Sequence, residues 1–220
     1  MKIIAIIPAR GGSKEIPGKN LFPINGKPLL YYTVSACLNS TLVNRTVVST
    51  DNDEISRVAK EIGAEVIKRP KRLSTDIAQM EPALEHTLDY LKNKEKYNPN
   101  IIVLPQNTSP LRTSNHIDEA LTLLIKKKYD SVLSGFPYHI HIWNKINQTR
   151  IQPHSYDPSK RKNRQDLPEQ ILENGSLYAT TLSAFKKSHC RISGKIGFYP
   201  MPMELSYDID GMDDLRKTEK

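Results

Sequence analysis

MKIIAIIPARGGSKEIPGKN, residues Met1–Asn20, is the stretch from which the fold of this chain can be read. Ile3–Ile7 is an unbroken apolar run, mostly β-branched, the pattern of a strand buried on both faces. Pro8 ends it. The loop that follows holds Gly11, Gly12, Ser13, Pro17 and Gly18, with Arg10, Lys14 and Lys19 as its cations. Glycines let backbone N–H groups approach an anion closely, and cations neutralise it. A strand opening into such a loop predicts a phosphate-rich guest, hence a nucleotide.

Outward from this loop, strands and helices alternate. Lys2–Ile7, Arg45–Thr50, Ala64–Ile67, Asn100–Leu104, Ser131–Leu133, Ser176–Thr180 and Ile196–Tyr199 read as strands. Pro28–Asn39, Asp53–Ile62, Glu81–Leu91 and a segment capped by Ser114 or Asn115 read as helices. In Asp53–Ile62, the residues Ile55, Val58, Ala59 and Ile62 recur at the spacing of one helix face, with Asp51 or Asn52 as cap and Gly63 as stop. After Ser114, the residues Ile117, Ala120, Leu121 and Leu124 form an inner stripe. This order predicts an α/β fold, a three-layer α/β/α sandwich around a mostly parallel sheet. The alternation fails from Tyr138 to Glu173. That stretch is polar, carries the basic run Lys160–Arg164, and is too long for a simple connector. The expected division is therefore a core of residues 1–137 and 174–220 with an inserted segment, 138–173. His139, His141 and Trp143 are expected to pack within that insert, because no third metal ligand accompanies the two histidines.

Composition narrows the classes of function. The chain has 220 residues, 25% charged and 38% hydrophobic, an ordinary globular composition that excludes disorder. Apolar runs of about five residues are too short to span a bilayer. Pro8 cuts short anything resembling a secretory leader, so the chain reads as cytoplasmic and not membrane-bound. The two cysteines, Cys37 and Cys190, are far apart and lack ligand spacing, so neither a disulfide nor a zinc site is expected. Cys37 falls on a helical pattern as a core residue. A net charge of +8 favours anionic partners: a nucleotide, an acidic sugar or nucleic acid. No stripe of cations with exposed aromatics supports nucleic acid.

Two phosphate motifs are excluded. A P-loop requires G-x-x-x-x-G-K-S/T, whereas Gly12 to Gly18 holds one residue too many and Asn20 follows Lys19. A dinucleotide fingerprint requires G-x-G-x-x-G, which Gly11-Gly12-Ser13 does not begin. At the other end, Asp208 and Asp210 alternate, so on an extended segment their side chains share a side. Carboxylates so placed suit the hard oxygen coordination of Mg²⁺; the alternative is that they cap the terminal turn.

The segments Ile7-Pro8-Ala9-Arg10-Gly11-Gly12-Ser13-Lys14, Ile16-Pro17 and Lys19-Asn20 closely resemble the opening motif of the CMP-sialic acid synthetases (acylneuraminate cytidylyltransferases). Gln106-Asn107-Thr108-Ser109-Pro110-Leu111-Arg112 resembles their Q-P-T-S-P-L-R segment. Arg164-Gln165-Asp166-Leu167-Pro168 with Asn174-Gly175-Ser176-Leu177-Tyr178 resembles their R-Q-x-L-P…N-G-x-x-Y segment, and Asp208-Ile209-Asp210 their terminal D-I-D. The blocks occur in the family's order and cover nearly the whole chain.

The resemblance implies a nucleotide-diphospho-sugar transferase-like fold and a reaction. CTP and a nine-carbon 2-keto acid sugar, with Mg²⁺, give the CMP-sugar and pyrophosphate through attack of the anomeric hydroxyl on the α-phosphorus. It implies Arg10, Lys19 and Asp208 as catalytic residues. Ala9, Arg10, Gly12, Ser13, Lys19, Asn20, Arg69, Asp76 and Ala78 would bind the nucleotide. Gln106, Arg164, Gln165, Asn174 and Tyr178 would bind the sugar, and Asp208 and Asp210 the metal. It also implies that the insert is a dimerisation arm of a homodimer that reaches over the partner's active site, which leaves open whether Arg164 serves its own subunit or the neighbouring one. A CMP-Kdo synthetase shares the reaction, but Gly12-Ser13-Lys14 and Lys19-Asn20 favour the nonulosonate branch. Retention of Arg10, Lys19, Asp208 and Asp210 argues against a nucleotide-binding protein that has lost catalysis, and the interleaving of cations with acids on the helices argues against a nucleic-acid-binding one. Asn107 replaces the usual proline, which is expected to loosen the backbone beside Gln106. The freer divergence of Phe136–Lys145 leaves the identity of the sugar open.

Overall fold

The computed structural model describes residues 1–13, 16–75, 78–139, 141–154, 156–163, 166, 169–211 and 213–214. In chain order the elements are β1 (Ile3–Pro8), the short pair β2 (Pro23–Ile24) and β3 (Lys27–Pro28), α1 (Leu29–Leu38), β4 (Arg45–Thr50), α2 (Asp53–Ile62) and β5 (Glu65–Lys68). Then come α3 (Glu81–Glu95), β6 (Ile101–Pro105), α4 (Ser114–Lys127), β7 (Ser131–Pro137), β8 (Trp143–Lys145), β9 (Ile151–Pro153), β10 (Ile171–Thr181), α5 (Leu182–Ser188) and β11 (Ile196–Pro200).

Seven strands form one sheet in the order β11-β7-β10-β6-β1-β4-β5. β1 runs parallel to β4 and β6, and β5 parallel to β4. β10 runs antiparallel to β6, pairing Leu177 with Pro105 and Thr181 with Ile101, and β11 is parallel to β7. The alternation of side chains along β1 supplies both faces of the core. Ile3, Ala5 and Ile7 pack with Leu30 and Val34 of α1, Ile55 and Ala59 of α2, and Ile117, Leu121 and Leu124 of α4. Ile4 and Ile6 pack on the opposite face with Leu84, Leu88 and Leu91 of α3 and Phe185 of α5. Each large aliphatic side chain so buried stabilises the fold by roughly 1.5–3 kcal/mol. This is the three-layer sandwich that the alternation predicts.

The structure refines several boundaries. Asn52 caps α2, its Oδ1 accepting from the Ile55 N–H at 2.9 Å, and Gly63 ends it at φ 110°. α4 is capped by Thr113, not Ser114 or Asn115, in a reciprocal arrangement with His116. β7 and β10 both run further than their apolar stretches, and α5 and the β2–β3 pair are additional elements. Cys37 is buried, and desolvation pushes its thiol up to about 12, so it stays protonated in the core.

Contacts divide the chain into two units, Met1–Gly135 with Glu173–Lys220, and Phe136–Leu172. Within the second unit, β8 and β9 form an antiparallel hairpin with Trp143 opposite Pro153. Its turn is closed by Asn147, whose Oδ1 accepts from the N–H groups of Thr149 and Arg150. The rings of His141 and Trp143 both meet Tyr156 edge-on, at centroid distances of 4.5 and 5.8 Å. Among the described residues, no helix is long and apolar enough to cross a membrane.

Asp118 on α4 holds the turn that leads from α1 into β4. Its carboxylate accepts from the hydroxyls of Ser40 and Thr41 and from the N–H groups of Thr41 and Leu42. Partial burial pushes its pKa up, but these bonds outweigh burial and hold the group below the usual carboxylate range. Its stabilising contribution is therefore complete above the unfolded value of about 3.9 and is lost as pH falls through the depressed folded value. Because the group is substantially exposed, Asp118→Ala should cost only roughly 1–2 kcal/mol at neutral pH. The deficit should shrink in thermal melts taken below pH 4. A deficit that does not change with pH would mean that the hydrogen-bonded carboxylate is not its source.

Candidate active site

β1 and β6 are parallel neighbours, so their carboxyl ends and the loops beyond them lie side by side, where open α/β sheets bind ligands. The two loops wall a cleft of about 200 Å³ lined by Arg10, Gly12, Ser13, Lys19, Asn20, Met80 and Gln106–Thr108. A second space of about 290 Å³ shares Pro8, Arg10 and Met80 with it and is further lined by Arg69, Thr75, Ala78 and Gln79.

The glycine-bearing loop is fastened from several sides. The Gly11 N–H donates to Asp51 Oδ1 at 3.0 Å. A Cβ on Gly11 would lie 2.9 Å from the Cβ of Asn52, so only glycine permits this approach. Asn20 Nδ2 donates to the Arg10 carbonyl at 2.9 Å, and Arg10 Nη1 donates to the Thr75 carbonyl at 2.8 Å. Gly12, in contrast, would carry a Cβ with no atom within 4 Å, leaving space over its backbone. Ala9 is in the core, and its N–H is taken by the Ser49 carbonyl at 2.9 Å.

Lys19 joins this loop to the distant acidic segment. Its Nζ donates to the carbonyls of Ile209 at 2.7 Å and Asp210 at 3.3 Å, with Asp210 Oδ1 at 3.9 Å. The Ile209 N–H donates to the Thr108 carbonyl at 2.8 Å, and Ile209 is fully buried. Asp208 and Asp210 are thereby fixed beside both loops. Burial first, then the charges of Asp210 and Asp214, raise the Asp208 carboxyl above the usual range, against a hydrogen bond from Thr108 and the charge of Lys19. Asp208 Oδ1 is buried without a hydrogen-bond partner.

Gln106 is held rigidly. Its N–H donates to the Ser176 carbonyl at 3.1 Å, and Arg112 Nη1 donates to the carbonyls of Gln106 at 3.0 Å and Ser176 at 2.7 Å. Arg112 Nη2 donates to Thr33 Oγ1 at 2.8 Å. Arg112 is 2% exposed, and burial draws its guanidinium down to about 10, opposed by Cys37. Gly175 adopts φ +68°, and a Cβ there would lie 3.4 Å from Gln106 Oε1 and 3.7 Å from Asp208 Oδ2. The glycine thus brings β10 against both side chains. The expected loosening beside Gln106 does not occur: Asn107 is buried, and its Nδ2 donates to Asn20 Oδ1 at 3.0 Å.

The structure thus gathers Arg10, Gly12, Ser13, Lys19, Asn20 and Gln106 in one cleft, Arg69 and Ala78 in the adjoining space, and Asp208 and Asp210 at the Lys19 side. Arg69 is 6% exposed, and its Nε and Nη2 are buried without partners. Burial lowers its pKa, with Asp51 opposing and Arg10 adding to the shift. The side chains of Asn174 and Tyr178 have other partners. Asn174 accepts from Ser134 Oγ at 2.7 Å and donates to Ser206 Oγ at 2.8 Å. Tyr178 lies among Ile4, Leu84 and Phe185, its hydroxyl donating to Glu173. Asp76, Arg164 and Gln165 lie outside the described residues, as does Lys14. Met80 closes the segment Ser74–Met80, which the family resemblance assigns to the base and ribose, and Asn107 is marked in the sequence only as a replacement for proline; Arg112 carries a signal only as a member of the Gln106–Arg112 block.

Comparison with known proteins identifies the family and the fold. The family profile described as Cytidylyltransferase matches residues 4–200. N-acylneuraminate cytidylyltransferase B of Danio rerio is 37% identical over 209 residues, covering 94% of this chain and 48% of that protein. The N-acylneuraminate cytidylyltransferase of Streptococcus agalactiae serotype V is 32% identical over 219 residues, covering 97% of this chain and 52% of that protein. The chain therefore spans about half the length of these relatives. The structure of CMP:2-keto-3-deoxy-manno-octonic acid synthetase complexed with CTP matches with a TM-score of 0.73 at 17% identity, covering 100% of this chain and 97% of that one. The 4-diphosphocytidyl-2C-methyl-D-erythritol synthase of Anaerococcus prevotii matches with a TM-score of 0.67 at 12% identity, covering 99% and 96%. The family match over most of the sequence leads to one assignment: the chain belongs to the cytidylyltransferase family.

Proposed function

We propose that this chain activates an acidic nine-carbon 2-keto sugar with CTP, giving the CMP-sugar and pyrophosphate. The observation that carries the reading is the placement of Arg10, Lys19 and Gln106 around one cleft, with Asp208 tied in beside Lys19. The names of the N-acylneuraminate cytidylyltransferase relatives support the substrate class.

In this reaction the anomeric oxygen forms a bond to the α-phosphorus. The bond from that phosphorus to the bridging oxygen breaks, and pyrophosphate leaves with the electron pair. Catalysis is then positioning and charge stabilisation. Arg10 and Lys19 neutralise the triphosphate, helped by N–H groups at Gly12 and Ser13, while Asn20 holds the nucleotide. Arg69, with buried donors lacking partners, serves the base and ribose together with Ala78 and Asp76. Gln106, Arg164 and Gln165 contact the sugar, Arg164 as the cation for its carboxylate. Asn174 and Tyr178 would act on the sugar through β10, which Gly175 brings against Gln106. Asp208 or Asp210 accepts the proton of the attacking hydroxyl.

The unpartnered, buried Asp208 Oδ1 beside the charge of Asp210 fits a divalent cation, which would relieve both. Asp208 and Asp210 would hold Mg²⁺, and the ion would supply positive charge to the reacting phosphate. The unit Phe136–Leu172 exposes Ile142, Trp143, Ile146, Ile151 and Leu172, apolar area that a second copy of the chain would cover in a cytoplasmic homodimer.

Pyrophosphate release from CTP and Mg²⁺ with N-acetylneuraminic, legionaminic, pseudaminic and Kdo acids tests the reading. Release with a nine-carbon acid, and not when ATP, GTP or UTP replaces CTP, is expected. Release with Kdo alone would move the chain to the eight-carbon branch, and absence of CTP binding would overturn the reading. Mixing Arg164→Ala with Lys19→Ala subunits should restore activity if Arg164 acts across the dimer. No recovery in verified heterodimers would place the site within one chain.

A further inference from the structure

Asn107 stands where the family's block has proline. It is 5% exposed and lines the cleft between Gln106 and Thr108. Its Nδ2 donates to Asn20 Oδ1 at 3.0 Å, and Asn20 Nδ2 donates to the Arg10 carbonyl at 2.9 Å. The direction of this relay is set chemically. A peptide carbonyl only accepts, so Asn20 turns its nitrogen to Arg10 and its oxygen to Asn107. Asn107 must then turn its nitrogen to Asn20, which leaves its own Oδ1 over. That oxygen is buried and has no hydrogen-bond partner. Proline at this position would offer neither the donor nor the acceptor.

A buried amide oxygen without a donor is costly and uncommon in a folded protein, and beside a cleft it points to a ligand that supplies one. The ionised phosphates of a nucleotide offer only acceptors. The space proposed for the base, with Arg69 and Ala78, does not include Asn107 in its lining. What remains are hydroxyl groups of the ribose, and hydroxyl or acylamino N–H groups of the acceptor sugar.

We propose that Asn107 is a substrate-binding residue whose Oδ1 accepts a hydrogen bond from the ribose or the acceptor sugar, through a hydroxyl or an acylamino N–H, while its Nδ2 locks Asn20 onto the Arg10 loop. The inference rests on the reaction proposed above and deepens it. Residue 107 then joins the loop beyond β1, the loop beyond β6 and the substrate through one side chain.

The test compares wild type with Asn107→Ala, using CTP, 2′-deoxy-CTP and 3′-deoxy-CTP, and N-acetylneuraminic acid or whichever acid supports turnover. One hydrogen bond to a hydroxyl corresponds to about a tenfold preference. If the ribose is the donor, the wild-type preference for CTP over one deoxy nucleotide should be of that size and should vanish in Asn107→Ala. If the acceptor sugar is the donor, its KM should rise about tenfold in the variant while the nucleotide preference is unchanged. Asn20→Ala and the double variant should be non-additive with Asn107→Ala, because both break the same relay. Kinetic constants and preferences within twofold of wild type would overturn the proposal. Asn107→Pro, which restores the residue usual in the family, provides the same readings if the alanine variant fails to fold. Wild type that binds CTP without turnover would overturn the reaction, and the ribose arm would then be read from nucleotide affinities, with an unchanged preference overturning the inference. Wild type that binds no CTP would overturn both.

Discussion

Asp208→Asn is expected to lower kcat/KM for pyrophosphate release by roughly 10²–10³-fold while the thermal midpoint holds or rises. The two effects have one cause. The Asp208 carboxyl is raised above its ordinary range by burial and by Asp210 and Asp214, so its ionised form is disfavoured in the folded chain. At neutral pH the native state carries that cost, and the amide removes it. The sign can be checked. A raised carboxyl pKa means that wild type gains stability as pH falls through the folded value, until the unfolded value of about 3.9 is reached. The melting advantage of Asp208→Asn should therefore be largest near neutrality and should close as pH approaches 4. A variant that melts lower at every pH would show that Asp208 stabilises the fold and is not held under electrostatic cost. Full activity would remove it from the chemistry.

Lys19→Met should act through two routes at once. It removes a cation from the cleft, for which a loss of roughly 10²–10³-fold in kcat/KM is expected. It also releases the carbonyls of Ile209 and Asp210, so the acidic segment loses its tie to the loop beyond β1. Both kcat and the KM for CTP should change, because the residue acts on the nucleotide and on the placement of Asp208. Lys19→Arg keeps the charge but not the compact ammonium that two carbonyls share, so it should recover only part of the loss. An unaltered rate in Lys19→Met would take Lys19 out of the site. A change in KM alone would restrict it to binding.

What the sequence made legible follows from how local each signal is. The strand Ile3–Ile7, the α2 stripe with its Asn52 cap and Gly63 stop, and the breakdown of alternation near residue 138 depend on neighbours in the chain. Periodicity reports them. The cation-bearing loop was equally plain, because glycine and charge clustering is a local pattern. What stayed hidden is long-range. That Lys19 would meet Ile209, across 190 positions, cannot be read from either segment alone. That Arg112 would be buried, donating to neutral oxygens of Gln106, Ser176 and Thr33, runs against the expectation that arginine faces solvent. Asn107 was misjudged for a related reason. Replacing proline removes a local restraint on the backbone, but the side-chain bond to Asn20, 87 positions away, imposes another.

The position of β10 has a consequence for how the protein is made. The strand lies between β6 and β7, yet it is synthesised after both. A chain that has left the ribosome as far as α4 can assemble β5-β4-β1-β6 and its helices, all from parallel pairings among earlier strands. The outer edge of β6, Ile-Ile-Val-Leu at 101–104, then waits unpaired until Thr181 has been added. β7 reaches the sheet only through β10, so it cannot cover that edge in the meantime. Apolar strand edges of this kind are templates for mispairing between nascent chains. Premature termination between β6 and β10 would therefore leave an adhesive half-sheet, and slower translation would lengthen the interval in which every full-length chain passes through the same state.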